Sequence, residues 1–129
     1  GTEEQKRRFF PRFRKGEISA FALTEPEVGS DPARMSAEAK LSADGTHYIL
    51  NGDKLWCTNG TVASMIVVLA KTAPKMVRGK ERPQISAFIV EMNSPGVEIV
   101  HRCEFMGTVP MDITMSDVKC KTNEMTVML

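Results

Sequence analysis

Three hydroxyls and one large aromatic are the residues of this chain best suited to chemistry. Thr24 and Ser30 lie six apart in Phe21-Ala-Leu-Thr-Glu-Pro-Glu-Val-Gly-Ser-Asp31. Backbone N–H groups of such a loop, with the two hydroxyls, suit an anionic or strongly accepting ligand. Trp56 and Thr58 lie in Tyr48-Ile-Leu-Asn-Gly-Asp-Lys-Leu-Trp-Cys-Thr-Asn-Gly60, and Trp56 is the only tryptophan. A flat aromatic beside a hydroxyl donor suits a planar heteroaromatic ligand. The plainer alternative makes the first stretch an ordinary strand exit, Trp56 a core residue and Thr58 a cross-strand partner.

The elements that hold these residues follow from local pattern. Ile18 to Leu23 is a short apolar run and reads as a buried strand. Pro26 cannot donate to a ladder, so the strand ends before it. Gly29 is free to adopt positive φ, and Asp31-Pro32 favours a turn. Asn51-Gly52 between two strand-like runs predicts a tight turn joining His47–Leu50 to Asp53–Cys57. On the second arm, Trp56 and Thr58 would share a face.

Further strands are expected from alternation over Met35–Leu41 and from the runs Met65–Ala70, Ile85–Val90, Val97–Val100 and Ile113–Val118. The density of β-branched residues in Met65–Ala70 suits a strand buried on both faces. Asp44-Gly45 and Asn93-Ser-Pro-Gly96 read as turns, and Thr72–Pro83 as a long basic loop. A helix is expected only near Thr2 to Phe10, with Thr2 and Gln5 at capping-box spacing and Pro11 as its stop. Short strands separated by Gly and Pro turns predict a mainly β, predominantly antiparallel domain of barrel or sandwich type.

Composition narrows the function classes. The 129 residues make one domain, with 42% hydrophobic and 26% charged residues, as in soluble globular proteins. A net charge of +1 argues against nucleic acid as a partner. No apolar run approaches the roughly 20 residues of a transmembrane helix. Cys57, Cys103 and Cys120 are widely spaced, and His47 and His101 are isolated, so neither a disulfide framework nor a metal cluster is expected. Reduced thiols point to an intracellular compartment. No signal peptide is recognisable, and Gly1 in place of Met suggests a piece of something longer.

Taken together, Leu23-Thr24-Glu25-Pro26, Gly29-Ser30-Asp31 and Asn51-Gly52-x-Lys54-x-Trp56-x-Thr58-Asn59-Gly60 resemble the acyl-CoA dehydrogenase family, in motif and in order. The resemblance runs from about Gly1 to Gly107. It implies a helical connector over residues 1–16 and the family's middle β domain over 17–129, without the N-terminal and C-terminal helical domains. The chain departs from the family at Thr108-Val-Pro-Met-Asp112, where a basic residue, a Gly and a small polar residue usually follow. It departs again at Cys120-Lys121, where a Pro is usual.

The resemblance implies FAD as cofactor and α,β-desaturation of acyl-CoA thioesters, as in fatty acid β-oxidation. A carboxylate base removes the α proton while the β hydride goes to flavin N5. By position in the motifs, Leu23 and Thr24 are expected at the pyrimidine edge of the flavin and Thr58 at N5/O4. Trp56 would pack beside the ring, with Phe21, Ala22 and Cys57 in the same flavin-facing segments. Ser30 is expected near the FAD pyrophosphate and the acyl-CoA entrance. Phe21 stands where many members have Tyr. No catalytic residue is expected here, because the base usually comes from the C-terminal domain; Glu25 would hold the loop instead. Expected partners are acyl-CoA, an electron-transfer flavoprotein and further copies of the subunit, in bacterial cytoplasm or mitochondrial matrix. Acyl-CoA oxidases and nitroalkane-oxidising enzymes share these motifs, and a cofactor-free β-barrel interaction module is the remaining alternative.

Overall fold

The computed structural model describes residues 1–102, 111–121 and 125–128. Helix α1 (Glu3–Arg14) leads into β1 (Ser19–Ala22), a 3₁₀ turn (Pro32–Arg34), β2 (Glu38–Leu41) and β3 (His47–Lys54). There follow β4 (Met65–Val77), β5 (Lys80–Glu91), β6 (Val97–Arg102), β7 (Met111–Lys121) and β8 (Met125–Met128). The strands form one curled sheet in the order β6-β7-β3-β2-β4-β5-β8, with β1 added to β4. The expected β domain is present, but the sheet is mixed. β1 pairs with β4 in parallel, from Ser19 opposite Met65 to Ala22 opposite Val68, and β2 touches β4 in parallel at Glu38.

The core lies inside the curl. Alanines line part of it: Ala20 and Ala22 on β1, Ala37 and Ala39 at β2. Leu50, Ile66, Val68, Phe88, Val90 and Val118 fill the rest. The opposite face of β4 and β5 is covered by Val28 and Met35 against Leu69, so β4 is indeed buried on both faces.

Helix α1 is longer than expected. It runs through Pro11, despite the hydrogen bond to the Arg7 carbonyl that a proline cannot make. Tertiary anchors hold the last turn. Phe9 is buried, and the Arg12 guanidinium bonds Glu17 at 2.7 and 2.9 Å and also Glu91 on β5. Those carboxylates hold the guanidinium pKa above its ordinary value. The expected capping box is present at Thr2 and Gln5. Gly16 at φ +86° closes the helix, with Glu17 N–H reaching back to the Arg12 carbonyl at 3.2 Å.

Three turn expectations are corrected. Asn51-Gly52 makes no hairpin, because β3 runs straight through it to Lys54. Gly52 has φ +146°, and a Cβ there would lie 2.6 Å from the Ala37 Cβ. Its glycine permits close approach of the chain entering β2. The register shifts beside it: Leu50 faces Val118, but Gly52 faces Met115. One extra residue on β7 makes a bulge, which lets Met115 and Val118 both point inward although three apart. Thr72–Pro83 is not a loop but the outer half of the β4–β5 hairpin. Arg78 (φ +52°) and Gly79 (φ +74°) make its two-residue turn. Pro74 falls where the register shifts between Thr72 and Lys75, so neither it nor Pro83 opposite must donate. Gly29 has no positive φ; Pro26 and Glu27 make the turn between Glu25 and Val28 instead. The Asp44-Gly45 turn forms as expected, with Gly45 at φ +70°.

The departures from family pattern at residues 108–110, and Cys103, lie outside the described residues. β7 nevertheless extends the expected Ile113–Val118 strand at both ends. Cys57 and Cys120 form no disulfide among the described residues, and both are buried.

Candidate functional site

β1 ends at Ala22, and the chain runs on beside the end of β3. The Leu55 N–H donates to the Thr24 carbonyl at 2.9 Å. The Lys54 ammonium donates to the Leu23 carbonyl at 3.2 Å. Two motifs separated by some thirty residues of sequence therefore form one edge. On this edge Phe21 is 53% exposed and Trp56 60% exposed. Exposure of Phe21 corrects the expectation of a fully buried strand, since only Ala20 and Ala22 face the core. Residues 55–58 are not strand either, so Trp56 and Thr58 do not share a strand face. Trp56 has φ +56° and Asn59 φ +64°. A bulky residue in the left-handed region is uncommon and strained, and such strain concentrates at functional sites.

The hydroxyls of Thr24, Ser30 and Thr58 make no hydrogen bond within the described residues. Thr58 and Ser30 are exposed and Thr24 is half-buried. Ala22 and Cys57 are buried, so any ligand contact they make falls to their backbone. The Cys57 thiol reaches the Leu55 carbonyl at 3.7 Å.

Behind the edge sits a buried ion pair. Lys54 Nζ lies 2.7 Å from Glu25 Oε1, with side chains 0% and 1% exposed. The same carboxylate accepts from the Ser36 N–H, from the Ser36 hydroxyl at 2.7 Å and from the Ala37 N–H at 3.0 Å. Burial pushes the Glu25 carboxyl up, but these donors outweigh it and hold the group below the ordinary carboxylate range. Burial also draws the Lys54 ammonium down, against the pull of Glu25.

A groove of about 500 Å³ opens beside the edge, lined by Phe21, Leu23, Leu69 and Ile85. Lys75 and Arg82 stand at its rim, directly opposite each other across the β4–β5 hairpin. Like charges in that register repel, and no ion pair among the described residues relieves them. A larger groove of about 750 Å³ lies by Tyr48, Lys71 and Ser86, and includes none of the expected site residues.

A family profile described as "Acyl-CoA dehydrogenase, middle domain" matches residues 20–120. The chain belongs to the acyl-CoA dehydrogenase family. It is 55% identical over 107 residues to a Mycobacterium bovis protein named "Probable acyl-CoA dehydrogenase FadE10", covering 83% of this chain and 16% of that protein. It is 42% identical over 99 residues to the very long-chain specific acyl-CoA dehydrogenase of Bos taurus mitochondria, covering 75% of this chain and 15% of that one. A crystal structure of a Bacillus anthracis acyl-CoA dehydrogenase complexed with FAD superposes with a TM-score of 0.84 at 34% identity, covering 98% of this chain and 22% of that one. The chain thus spans about a sixth of the length of these curated relatives.

For a dehydrogenase middle domain the donor set fits a flavin. Exposed Phe21 and Trp56, the latter on strained left-handed backbone, lie on segments joined through Thr24 and Leu55, and the Thr24 and Thr58 hydroxyls on those segments are unengaged. Glu25 holds the loop, as expected from the motif. Sequence reasoning did not single out Lys54, Lys75 or Arg82 for the site. The signal for Lys54 was its position: it follows Leu50 and Gly52 at period two, on the core face of a strand. No helix among the described residues is long and apolar enough to cross a membrane.

Proposed function

We propose that this chain is the FAD- and substrate-facing domain of a full-length acyl-CoA dehydrogenase that desaturates acyl-CoA thioesters between the α and β carbons. The observation that carries this reading is the pairing of Leu23–Thr24 with Lys54–Leu55, which brings both motifs to one edge. Bound FAD would supply the two-electron acceptor chemistry that the desaturation needs. The residues of this chain bind and orient. Leu23 and Thr24 would hold the pyrimidine edge, where donors stabilise developing negative charge. Thr58 would hold the N5/O4 edge, and Trp56 and Phe21 would shield the ring from water. Ser30 would lie by the pyrophosphate and the substrate entrance. The Lys75 and Arg82 pair offers the phosphates of the substrate a site that also relieves its own repulsion.

The base that takes the α proton belongs elsewhere in the full-length protein. Glu25 is unfit, since four donors and complete burial keep it ionised and inaccessible. An electron-transfer flavoprotein as acceptor, a homo-oligomeric assembly, and a bacterial cytoplasmic or mitochondrial matrix setting complete the proposal.

The test is single-turnover bleaching of the flavin by acyl-CoA in the full-length protein. Thr58→Val is compared at matched FAD occupancy. Loss of a preorganised donor costs on the order of 10²–10³ in rate, and a side-chain donor backed by backbone N–H groups should cost less. Equal rates would remove Thr58 from the mechanism. A colourless protein that releases no FAD on heating would sink the reading and favour a cofactor-free module.

A further inference from the structure

Lys54 and Glu25 are the two charged side chains most completely withdrawn from water among the described residues. A buried ion pair gives little net stability, and an apolar pair of similar volume often serves as well or better. What an apolar pair cannot do is fix direction. Here direction is fixed at three consecutive residues. The Leu23 carbonyl accepts from the Lys54 ammonium, and the Thr24 carbonyl accepts from the Leu55 N–H. The Glu25 N–H donates to the Val28 carbonyl at 2.9 Å, and its carboxylate is tied to Lys54 and to Ser36 and Ala37 ahead of β2. Lys54 therefore grips both ends of the Leu23–Glu25 segment.

Peptide geometry turns that grip into a consequence at the surface. A trans peptide is planar, with C=O and N–H pointing to opposite sides. The Leu23 carbonyl points at buried Lys54, so the N–H of the same peptide, that of Thr24, points the other way. No described residue accepts from the Thr24 N–H. We propose that the buried Lys54–Glu25 pair is a positioning device, which aims the Thr24 N–H out of the domain as a donor to the flavin. Lys54 and Glu25 are positioning residues that touch no ligand. This rests on the flavin reading above.

The experiment uses the full-length protein as wild type, Lys54→Met, Glu25→Gln and the double variant. Each is stripped of flavin and measured for thermal midpoint and for FAD Kd. The single variants lose both stability and affinity, since each leaves a buried polar group without its partner. The double variant regains part of that stability, because no charge is left buried alone although the Leu23 carbonyl still lacks its donor, while its FAD Kd stays weaker by about tenfold or more, the equivalent of one hydrogen bond. A double variant that binds FAD like wild type overturns the proposal, as does an affinity that falls only in step with stability. If the double variant does not fold, amide exchange in the wild type decides. FAD must then slow exchange of the Thr24 N–H, and no slowing overturns the proposal. Wild-type protein that takes up no FAD removes the flavin reading itself, an outcome distinct from any difference between variants.

Discussion

Gly52→Ala tests the chain of contacts that supports the site. An alanine Cβ at this position would lie 2.6 Å from the Ala37 Cβ and 2.7 Å from its Cα. The second of these is backbone, so no side-chain rotation relieves it. φ at +146° adds conformational strain, worth roughly 1–3 kcal/mol for a non-glycine residue. Forcing an extra methyl into packed structure adds about 1–3 kcal/mol. The total of about 2–6 kcal/mol is a large share of a stability of about 5–15 kcal/mol. At roughly 4 °C per kcal/mol, the thermal midpoint should fall by about 8–24 °C. Gly45→Ala is the control, because Gly45 has φ +70° but a Cβ there meets nothing within 4 Å. It isolates the strain and should cost only about 1–2 kcal/mol. Because the Ala37 N–H bonds Glu25 at 3.0 Å, Gly52→Ala should also weaken FAD binding in the full-length protein, which Gly45→Ala should not. Equal losses of stability in the two variants, measured by thermal unfolding, would refute the role given to close approach.

Acid should weaken the fold through Glu25. Its folded pKa is depressed, so its contribution is present above the unfolded value of about 4.3 and is lost as pH falls through the folded pKa. Glu25→Gln should flatten that acid limb in a series of unfolding curves. Lys75→Glu or Arg82→Glu should remove the cross-strand repulsion, leaving stability unchanged or slightly raised. Either should raise the KM for acyl-CoA more than it lowers kcat, and an unchanged KM would remove the hairpin from substrate binding. Cys57→Ser, with its side chain fully buried in the core, should lower the thermal midpoint, and a variant as stable as wild type would contradict its place there.

The β domain was legible because its strands carry their own signals. Met65–Ala70 and Ile85–Val90 are β-branched and apolar; of the alternation expected over Met35–Leu41, Met35, Ala37 and Ala39 are buried but Leu41 is exposed, and only Glu38–Leu41 is strand. What escaped depended on partners far away in sequence. Asn-Gly is a hairpin signal only when strands fold back there; here Gly52 is fixed by the approach of Ala37, fifteen residues earlier. Pro11 stops an isolated helix, but Arg12 gripping Glu91 across the fold keeps the last turn wound. Pro74 and Pro83 read as a loop because the bulge that tolerates them needs both strands to be visible. The motifs of the site were legible as spacing, while Lys54 reads as a surface lysine until its inward parity is recognised.

The side chains of the site reverse the usual distribution of size. On β1 the small residues Ala20 and Ala22 face the core and the large Phe21 faces out. After β3, Cys57 is buried and the only tryptophan, Trp56, stands outside it on strained backbone. A strand that served only its own core would place the large side chains inward, since burying an aromatic ring is worth about 1.5–3 kcal/mol and an exposed one forfeits it. Exposed apolar residues are common singly and need no explanation alone. Two such reversals, on segments joined by a 2.9 Å backbone hydrogen bond, are harder to assign to chance. The inward alanines take little room inside the curl, and the rings stand outside it. Both reversals thus fall on segments that the buried Lys54–Glu25 pair ties together from beneath.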